Sequence, residues 1–280
     1  MPRVLIDDAA GDHHSILVYG SSGSGKTVLS GSALRYEPLT PIFYADFERG
    51  YRPLRTFFAS LWDKMSLWAI EQTNELDIIE KVVFSENTPF NTIVIDSMTQ
   101  YYTLLMKARL QDVGREGGTP SQPDYYHVGD ALQTFLWRVK RESKINLIAT
   151  AGHQVTEDSI TGSLIINPDL TGKLARRIPR LFDIVGYLTT ERRVTARGEL
   201  KREARYLQVQ PYGRIRAKDR TASLGPRVTN PTMERLFRAL EEAPPAIFLG
   251  DDGTGGDPEE ADELDDAMQM NEPEDQKETD

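Results

Sequence analysis

The residues best able to do chemistry lie together in one short turn, Gly20-Ser21-Ser22-Gly23-Ser24-Gly25-Lys26-Thr27. A glycine, four residues and then Gly-Lys-Thr form the phosphate-loop pattern, in which backbone N–H groups surround phosphate oxygens. In that pattern Lys26 reaches the β- and γ-phosphates, and the Thr27 hydroxyl binds Mg²⁺. Together with Val28, the next residue, the turn predicts a binding site for ATP and Mg²⁺. The alternative is a flexible Ser/Gly turn without a ligand.

A strand must precede such a turn and a helix must follow it, and the sequence alternates in that way along its length. Short apolar runs, rich in β-branched or aromatic residues, occupy 15–20, 41–48, 91–97, 145–153 and 183–191. Helical segments lie between them; in one, apolar residues recur at helical spacing at Val128, Leu132, Phe135, Leu136 and Val139. This alternation predicts an α/β fold, a mostly parallel central sheet with helices on both faces.

Two further strand ends carry carboxylates. Asp96 ends the run TIVIDS and is the candidate for organising Mg²⁺ beside Thr27. The run PIFYADFERG carries Asp46 and Glu48, two positions apart, so we expect both on one face of an extended strand. Glu48 is the first candidate for the base that activates the attacking water, and Asp46 is the second. The alternative is that these carboxylates merely cap a strand at the surface.

The order of these motifs resembles the RecA-like ATPase core: a phosphate loop, DFE after the next strand, TIVIDS, then LIATAGHQ on a fourth strand. The segments TGKLARRIPRLFD and AKDR, and the small size, resemble more narrowly the phage-encoded single-strand annealing ATPases. The resemblance covers about residues 12–240. It implies that Glu48 is the catalytic glutamate and that His153 or Gln154 senses the γ-phosphate. RecA has glutamine there, so the choice stays open, and His153 alternatively is a structural strand-end residue.

In that family, the loops after the third and fourth strands line the DNA path. The matching segments are 111–126 and 154–180, both read as long loops. The second ends in four cations whose spacing puts most of them on one side of a helical turn: Lys173, Arg176, Arg177 and Arg180. Residues 171–220 hold 14 Lys/Arg against 5 Asp/Glu, a bias that predicts contact with nucleic acid, DNA or RNA. The resemblance implies that this partner is single-stranded DNA. The alternative is a solvated helix face and hairpin. Tyr125 and Tyr126 are candidates for base stacking or for core packing.

A basic turn, Lys218-Asp219-Arg220, follows a predicted strand. The resemblance implies that cations here reach across a subunit interface to a neighbour's γ-phosphate, in a homo-oligomeric ring or filament. Arg220, with Lys218, is therefore the candidate for a residue that acts in trans. The alternative is an ordinary surface turn.

The charge of the chain is strongly divided. The formal net charge is −10, but residues 250–280 hold 14 Asp/Glu and one Lys, which leaves the rest mildly basic. We expect one ATPase domain over 1–243 and a disordered acidic tail over 244–280. The tail would compete with DNA, recruit a basic protein partner or simply aid solubility. The chain has no cysteine, which excludes thiol chemistry. It also has no apolar run long enough to span a membrane. We therefore expect a cytoplasmic protein, in the host cytoplasm if it is phage-encoded.

These features together predict a DNA-stimulated, Mg-dependent ATPase that promotes annealing or strand pairing in phage DNA recombination. One alternative is a small-molecule kinase or phosphotransferase, which predicts an acceptor pocket and no DNA dependence. Another is a nucleotide-switched binding module with negligible turnover. A helicase is a further possibility, although the chain leaves little room for a separate translocation domain.

Overall fold

The computed structural model describes residues 13–157, 162–194 and 200–242. The chain divides into two units, Met1–Ala243 and Pro244–Asp280. The second unit, with the predicted acidic tail, lies outside the described residues, as do residues 195–199. The domain boundary at 243 and the tail therefore stay predictions.

Eleven strands form two sheets in the described part of the chain. In chain order they are β1 Ser15–Tyr19, β2 Ile42–Asp46, β3 Met65–Ala69, β4 Thr92–Asp96, β5 Asn146–Ala151, β6 His153–Glu157, β7 Leu164–Pro168, β8 Ile184–Val194, β9 Leu200–Gln208, β10 Lys218–Asp219 and β11 Arg227–Thr229. The large sheet has the order β11-β9-β8-β1-β5-β4-β2-β3, with β10 paired to β8, and β6 and β7 form a separate hairpin. All pairings from β3 across to β8 are parallel, whereas β9, β10 and β11 pair antiparallel.

Seven α-helices cover the sheet in the described ranges. They are α1 Lys26–Gly31, α2 Arg52–Phe58, α3 Asp77–Val83, α4 Met98–Asp112, α5 Gln122–Glu142, α6 Leu174–Arg177 and α7 Met233–Glu241. One core joins α3, α4, α5 and α6 to one face of the sheet, and a second core joins α1, α2 and α7 to the other. Strand β1 shows why, since Leu17 and Tyr19 pack into the first core and Ile16 and Val18 into the second. The predicted fold class is confirmed.

The strand order decides where the site forms. The fourth strand of the motif, β5, lies between β1, which leads into the phosphate loop, and β4, which ends in Asp96. Because parallel strands end at the same edge of a sheet, the phosphate loop, Asp96 and the residues after β2 and β5 meet there.

Two sequence expectations about connections need correction. The segment 154–180 is not a long loop, because it contains most of β6, all of β7, α6 and a 3₁₀ turn at Ile178–Leu181. The segment 111–126 is helical at both ends, because α4 continues to Asp112 and α5 begins at Gln122, so the loop between them is confined to residues 113–121. Strand β3 at the sheet edge was not predicted at all. Within the described ranges, no helix is both long enough and apolar enough to cross a membrane.

Candidate active site

The phosphate loop lies between β1 and α1, as its pattern requires. The backbone N–H of Gly20 donates to the carbonyl of Ala151 at the end of β5, at 3.3 Å. A Cβ at position 20 would lie 2.4 Å from the carbonyl oxygen of Leu188, and Gly25 has a φ of +100°, so both positions favour glycine. Residues 21–23 are exposed and Ser24 is buried. The loop is therefore open to solvent on its outer side, and its base packs against β5 and β8.

Lys26 is held over this loop by the chain itself. Its Nζ donates to the carbonyl oxygens of Gly20 at 3.0 Å and Ser21 at 2.9 Å. Burial lowers the pKa of Lys26, while the negative charges of Glu48 and Asp96 oppose that shift. The ammonium group thus stands among the loop atoms that would surround a phosphate.

The Asp96 carboxylate accepts three hydrogen bonds from side-chain hydroxyl groups. It is buried, and its Oδ2 accepts hydrogen bonds from the Thr27 hydroxyl at 2.8 Å and the Tyr44 hydroxyl at 2.7 Å. The Thr150 hydroxyl donates to the other oxygen. Burial raises the pKa of Tyr44, so this phenol remains a donor. Thr27 and Asp96 present the hydroxyl and carboxylate oxygens that Mg²⁺ prefers, so the donor set fits this ion.

The two acidic residues at and after the end of β2 have different environments, and the expectation that they share a strand face is wrong. Strand β2 ends at Asp46, whose buried carboxylate accepts backbone N–H groups of Glu48 at 3.0 Å, Gly50 at 3.1 Å and Tyr51 at 3.2 Å. These bonds fold the chain back after the strand. Glu48 lies beyond the strand and is exposed, and its carboxylate accepts a hydrogen bond from the hydroxyl of Ser97, which directly follows Asp96.

The two candidate sensors begin β6, two and three residues after β5 ends beside the phosphate loop. The Gln154 side-chain amide donates to the carbonyls of Pro168 at 3.1 Å and Leu170 at 2.6 Å. The His153 ring stands edge-on to Tyr187, with ring centroids 6.0 Å apart. The side chain of Gln154 is thus committed to its own hairpin, and which of the two acts as sensor stays a prediction.

Sequence reasoning missed several residues around the loop, above all Arg205. This exposed side chain on β9 lies against the phosphate loop, since a Cβ on Gly25 would stand 2.6 Å from its Nε. Beside it opens a pocket of about 250 Å³, lined by Gly25, Val28, Leu29, Ser32, Arg35, Phe57, Phe58, Leu188, Arg205, Asn230, Pro231 and Thr232. No local pattern marks Arg205, because only the pairing of β9 with β8, and of β8 with β1, brings it here. Sequence reasoning also missed Tyr44. Its hydroxyl group, within an otherwise apolar strand, was a signal that could have been noticed.

Comparisons with known proteins agree with this geometry. The family model described as "AAA domain" matches residues 12–221. The chain belongs to the AAA domain family. Together with the strand order, this membership confirms the predicted RecA-like P-loop ATPase fold. No curated protein matches the sequence significantly.

Among solved structures, the AAA domain is similar to "Crystal structure of the RadB recombinase", at 16% identity and a TM-score of 0.44. The match covers 71% of this chain and 82% of the RadB chain. A likeness this distant carries no conclusion about what this AAA domain binds.

The four predicted DNA-contacting cations lie at the start of α6, on α6 and on the 3₁₀ turn after it, outside the phosphate-loop site of this AAA domain. All four are exposed: Lys173, Arg176, Arg177 and Arg180. The residues between them are buried: Leu174, Ala175, Ile178 and Pro179. The apolar residues fix this short segment to the core, so the cations are presented together to solvent.

Lys218 and Arg220 lie at the other edge of the sheet from the phosphate loop. Lys218 pairs with Val185 near the start of β8, and Arg220 donates to the Asp183 carboxylate at 3.0 Å. Burial lowers the pKa of Lys218 to about 8, and its Nζ donates to the Phe182 carbonyl. Neither residue is near its own phosphate loop. Action on a neighbouring subunit stays a prediction.

Proposed function

We propose that this AAA domain is an ATPase that assembles as a ring or filament on single-stranded DNA and is stimulated by it. Its nucleotide state would control annealing or strand pairing in phage recombination. The observation that carries the proposal is the convergence of Lys26, the Thr27–Asp96 pair and Glu48 at one edge of the sheet. These are the parts that ATP hydrolysis needs.

Each residue has a role that follows from its contacts. Lys26 exchanges the loop carbonyls for phosphate oxygens, and Thr27 and Asp96 hold the metal ion. Bound Mg²⁺ neutralises charge on the β- and γ-phosphates. Glu48, exposed and oriented by Ser97, accepts the proton of the attacking water. Asp46 does not compete for this role, because its oxygens already accept three backbone N–H groups.

The pocket beside Arg205 supports binding of the rest of the nucleotide. It adjoins Gly25 and Val28 and is lined largely by apolar and aromatic groups, including Phe57 and Pro231. Such a lining suits a nucleobase, with a few polar groups to orient it.

Consecutive segments of the chain connect the phosphate-loop site to the predicted DNA-contacting cations. Strand β5 ends at the phosphate loop, and His153 is the second residue after it. The β6–β7 hairpin then leads to the four exposed cations on α6 and its following turn. A γ-phosphate contact at His153 would shift this hairpin and so change DNA affinity. The side-chain amide of Gln154 already donates to two carbonyl oxygens, those of Pro168 and Leu170. In the described part of the chain, the His153 ring makes an edge-on contact with Tyr187 and no such hydrogen bond, which favours His153 as the sensor.

A second candidate function rests on another pocket. A cavity of about 280 Å³ lies beside the proposed base, lined by Phe47, Glu48, Arg49, Ile70, Glu71, Gln100, Thr103, Leu104 and Lys107. A small acceptor bound there would make the protein a phosphotransferase, with Glu48 taking the acceptor's proton.

One experiment separates the two functions. ATP hydrolysis by the full chain is measured with and without single-stranded DNA, at low and moderate salt, beside Lys26→Ala. We expect stimulation that fades with salt and vanishes in the variant. Hydrolysis that depends on Lys26 but ignores DNA would overturn the DNA-dependent function and favour the phosphotransferase.

A further inference from the structure

A groove outside the nucleotide site combines aromatic and basic side chains. It runs along the outer face of α5, beside α6, with a volume of about 510 Å³. Three of its aromatic residues are exposed, since Tyr126 is 76% accessible, Trp137 is 52% and Tyr125 is 41%, whereas Tyr102 at its base is buried. Lys173 and Arg177 lie on its other side. We call this feature the aromatic groove.

The helix geometry explains why these aromatic residues do not belong to the core. Tyr126, Asp130, Gln133 and Trp137 follow one another at helical spacing along one face of α5. The opposite face supplies the buried residues: Val128, Leu132, Phe135, Leu136 and Val139. The rings of Tyr126 and Trp137 are therefore exposed to solvent in the described structure. Large aromatic side chains are rarely left exposed in this way without a binding partner.

The basic wall of the groove is built by close packing. A Cβ on Gly129 would stand only 3.3 Å from a methyl carbon of Leu174, so α6 sits directly on α5 at this glycine. That contact holds Lys173 and Arg177, on either side of Leu174, next to the aromatic face. Asp130 also lines the groove, so the groove is not uniformly positive, and the cations are confined to its α6 side.

We propose that the aromatic groove holds a single strand of nucleic acid, with bases stacked on Tyr126 and Trp137 and the backbone along Lys173 and Arg177. This inference rests on the proposed function and adds how the strand is recognised. Aromatic rings stack on any base, and the cations pair with phosphates. A duplex keeps its base faces occupied, so the groove selects single strands. The two rings lie about 16 Å apart at ~1.5 Å per helical residue.

The test measures binding of the full chain to two labelled strands of equal length, oligo-dT and an abasic strand that carries the same phosphates without bases. We expect oligo-dT to bind about a hundredfold more tightly, because two bases stack and each contributes ~1–3 kcal/mol, of which ~1.4 kcal/mol is a factor of ten. Trp137→Ala and Tyr126→Ala should each weaken oligo-dT binding about tenfold and leave abasic binding unchanged. Trp137→Phe is the matched control, because it keeps a ring for stacking.

Two results would overturn the inference but not the proposed function: equal affinity for both strands, or wild-type oligo-dT affinity in both alanine variants. A change of oligomeric state in Trp137→Ala with unchanged DNA affinity would likewise overturn it, because a second copy would then cover the groove. If neither strand binds the wild-type chain at low salt, the proposed DNA function fails as well. Lys173→Ala should weaken both strands equally and flatten the salt dependence.

Discussion

At the scale of single residues, Asp46 and Glu48 lie in different environments. Burial raises the pKa of Asp46, and three backbone N–H groups oppose that shift by stabilising its charge. Those bonds make Asp46 an anchor for the chain after β2. Glu48 remains exposed at the mouth of the site, bonded to Ser97. Two carboxylates two residues apart therefore have different environments, and only the exposed one is positioned for the proposed role of base.

Glu48→Gln should lower ATP turnover about 10²- to 10⁴-fold, the range of a lost general base. Nucleotide affinity should stay near that of the wild type, since Glu48 does not support the phosphate loop. Single-turnover hydrolysis and binding of a fluorescent nucleotide measure the two effects. Ser97→Ala, which removes the orienting hydrogen bond together with the N-cap contact to the Gln100 backbone N–H at the start of α4, should give a smaller loss. Unchanged turnover in Glu48→Gln would exclude Glu48 as the base.

At the scale of elements, one buried carboxylate joins α4, the following loop and α5. Asp124 accepts the backbone N–H and hydroxyl of Ser121, at 2.8 Å and 2.5 Å, at the start of α5. Arg115 in the loop donates to it at 2.6 Å, and Arg109 on α4 lies at 3.4 Å. The start of α5, with Tyr125 and Tyr126, is thus fixed by polar contacts rather than by the core.

These contacts give a prediction for acid stability. The Ser121 hydrogen bonds, and then Arg115, hold the pKa of Asp124 well below its ordinary value of 3.8. A carboxyl with a depressed folded pKa stabilises the fold above its unfolded pKa, and that stability is lost as the pH falls below it. Asp124→Asn should therefore lower the urea midpoint at pH 7, and the difference from wild type should shrink below about pH 4. A difference that is constant from pH 7 to pH 3 would contradict this account.

At the scale of the whole molecule, the position of Arg220 separates action within a subunit from action between subunits. Within the chain it is bound to Asp183 at the sheet edge away from the phosphate loop, and its side chain is 47% exposed. Arg220 could therefore contact only a γ-phosphate bound to a neighbouring subunit, and that contact would break the ion pair with Asp183.

Mixing two inactive variants tests that arrangement. Lys26→Ala removes a subunit's own site and Arg220→Ala removes its contribution to a neighbour, so each alone should lack DNA-stimulated turnover. An equal mixture should regain about a quarter of wild-type turnover, if neighbours assort randomly in a ring or filament. Lys140→Ala is the control, because Lys140 also donates to Asp183, at 2.8 Å. Full turnover by Arg220→Ala alone would exclude the trans role.

The acidic segment after Leu249 gives a second prediction at this scale. Truncation there removes 14 acidic residues and one lysine. If the segment competes with DNA for the exposed cations, the truncated chain should bind single strands several-fold more tightly at low salt, and the gain should fade at moderate salt. Titrations at two salt concentrations measure this. Identical affinity and salt dependence in both chains would leave recruitment of a basic partner or solubility as its role.

The sequence by itself determined whatever a local pattern encodes. Apolar runs predicted five strands of the sheet, and the phosphate-loop spacing identified Lys26 and Thr27. Asp96 was predictable because a strand-end carboxylate after a phosphate loop has few other uses. Backbone conformation and helical or extended periodicity act over short stretches, so they are visible in the letters.

Only the tertiary structure decided how distant segments meet. It placed Arg205 on the phosphate loop through two strand pairings, separated Asp46 from Glu48 by ending β2 early, and turned a supposed loop into the β6–β7 hairpin. It also set α6 against Gly129 and so formed the aromatic groove. These outcomes depend on packing and on hydrogen bonds between residues far apart in the chain, for which no single stretch of sequence carries a signal.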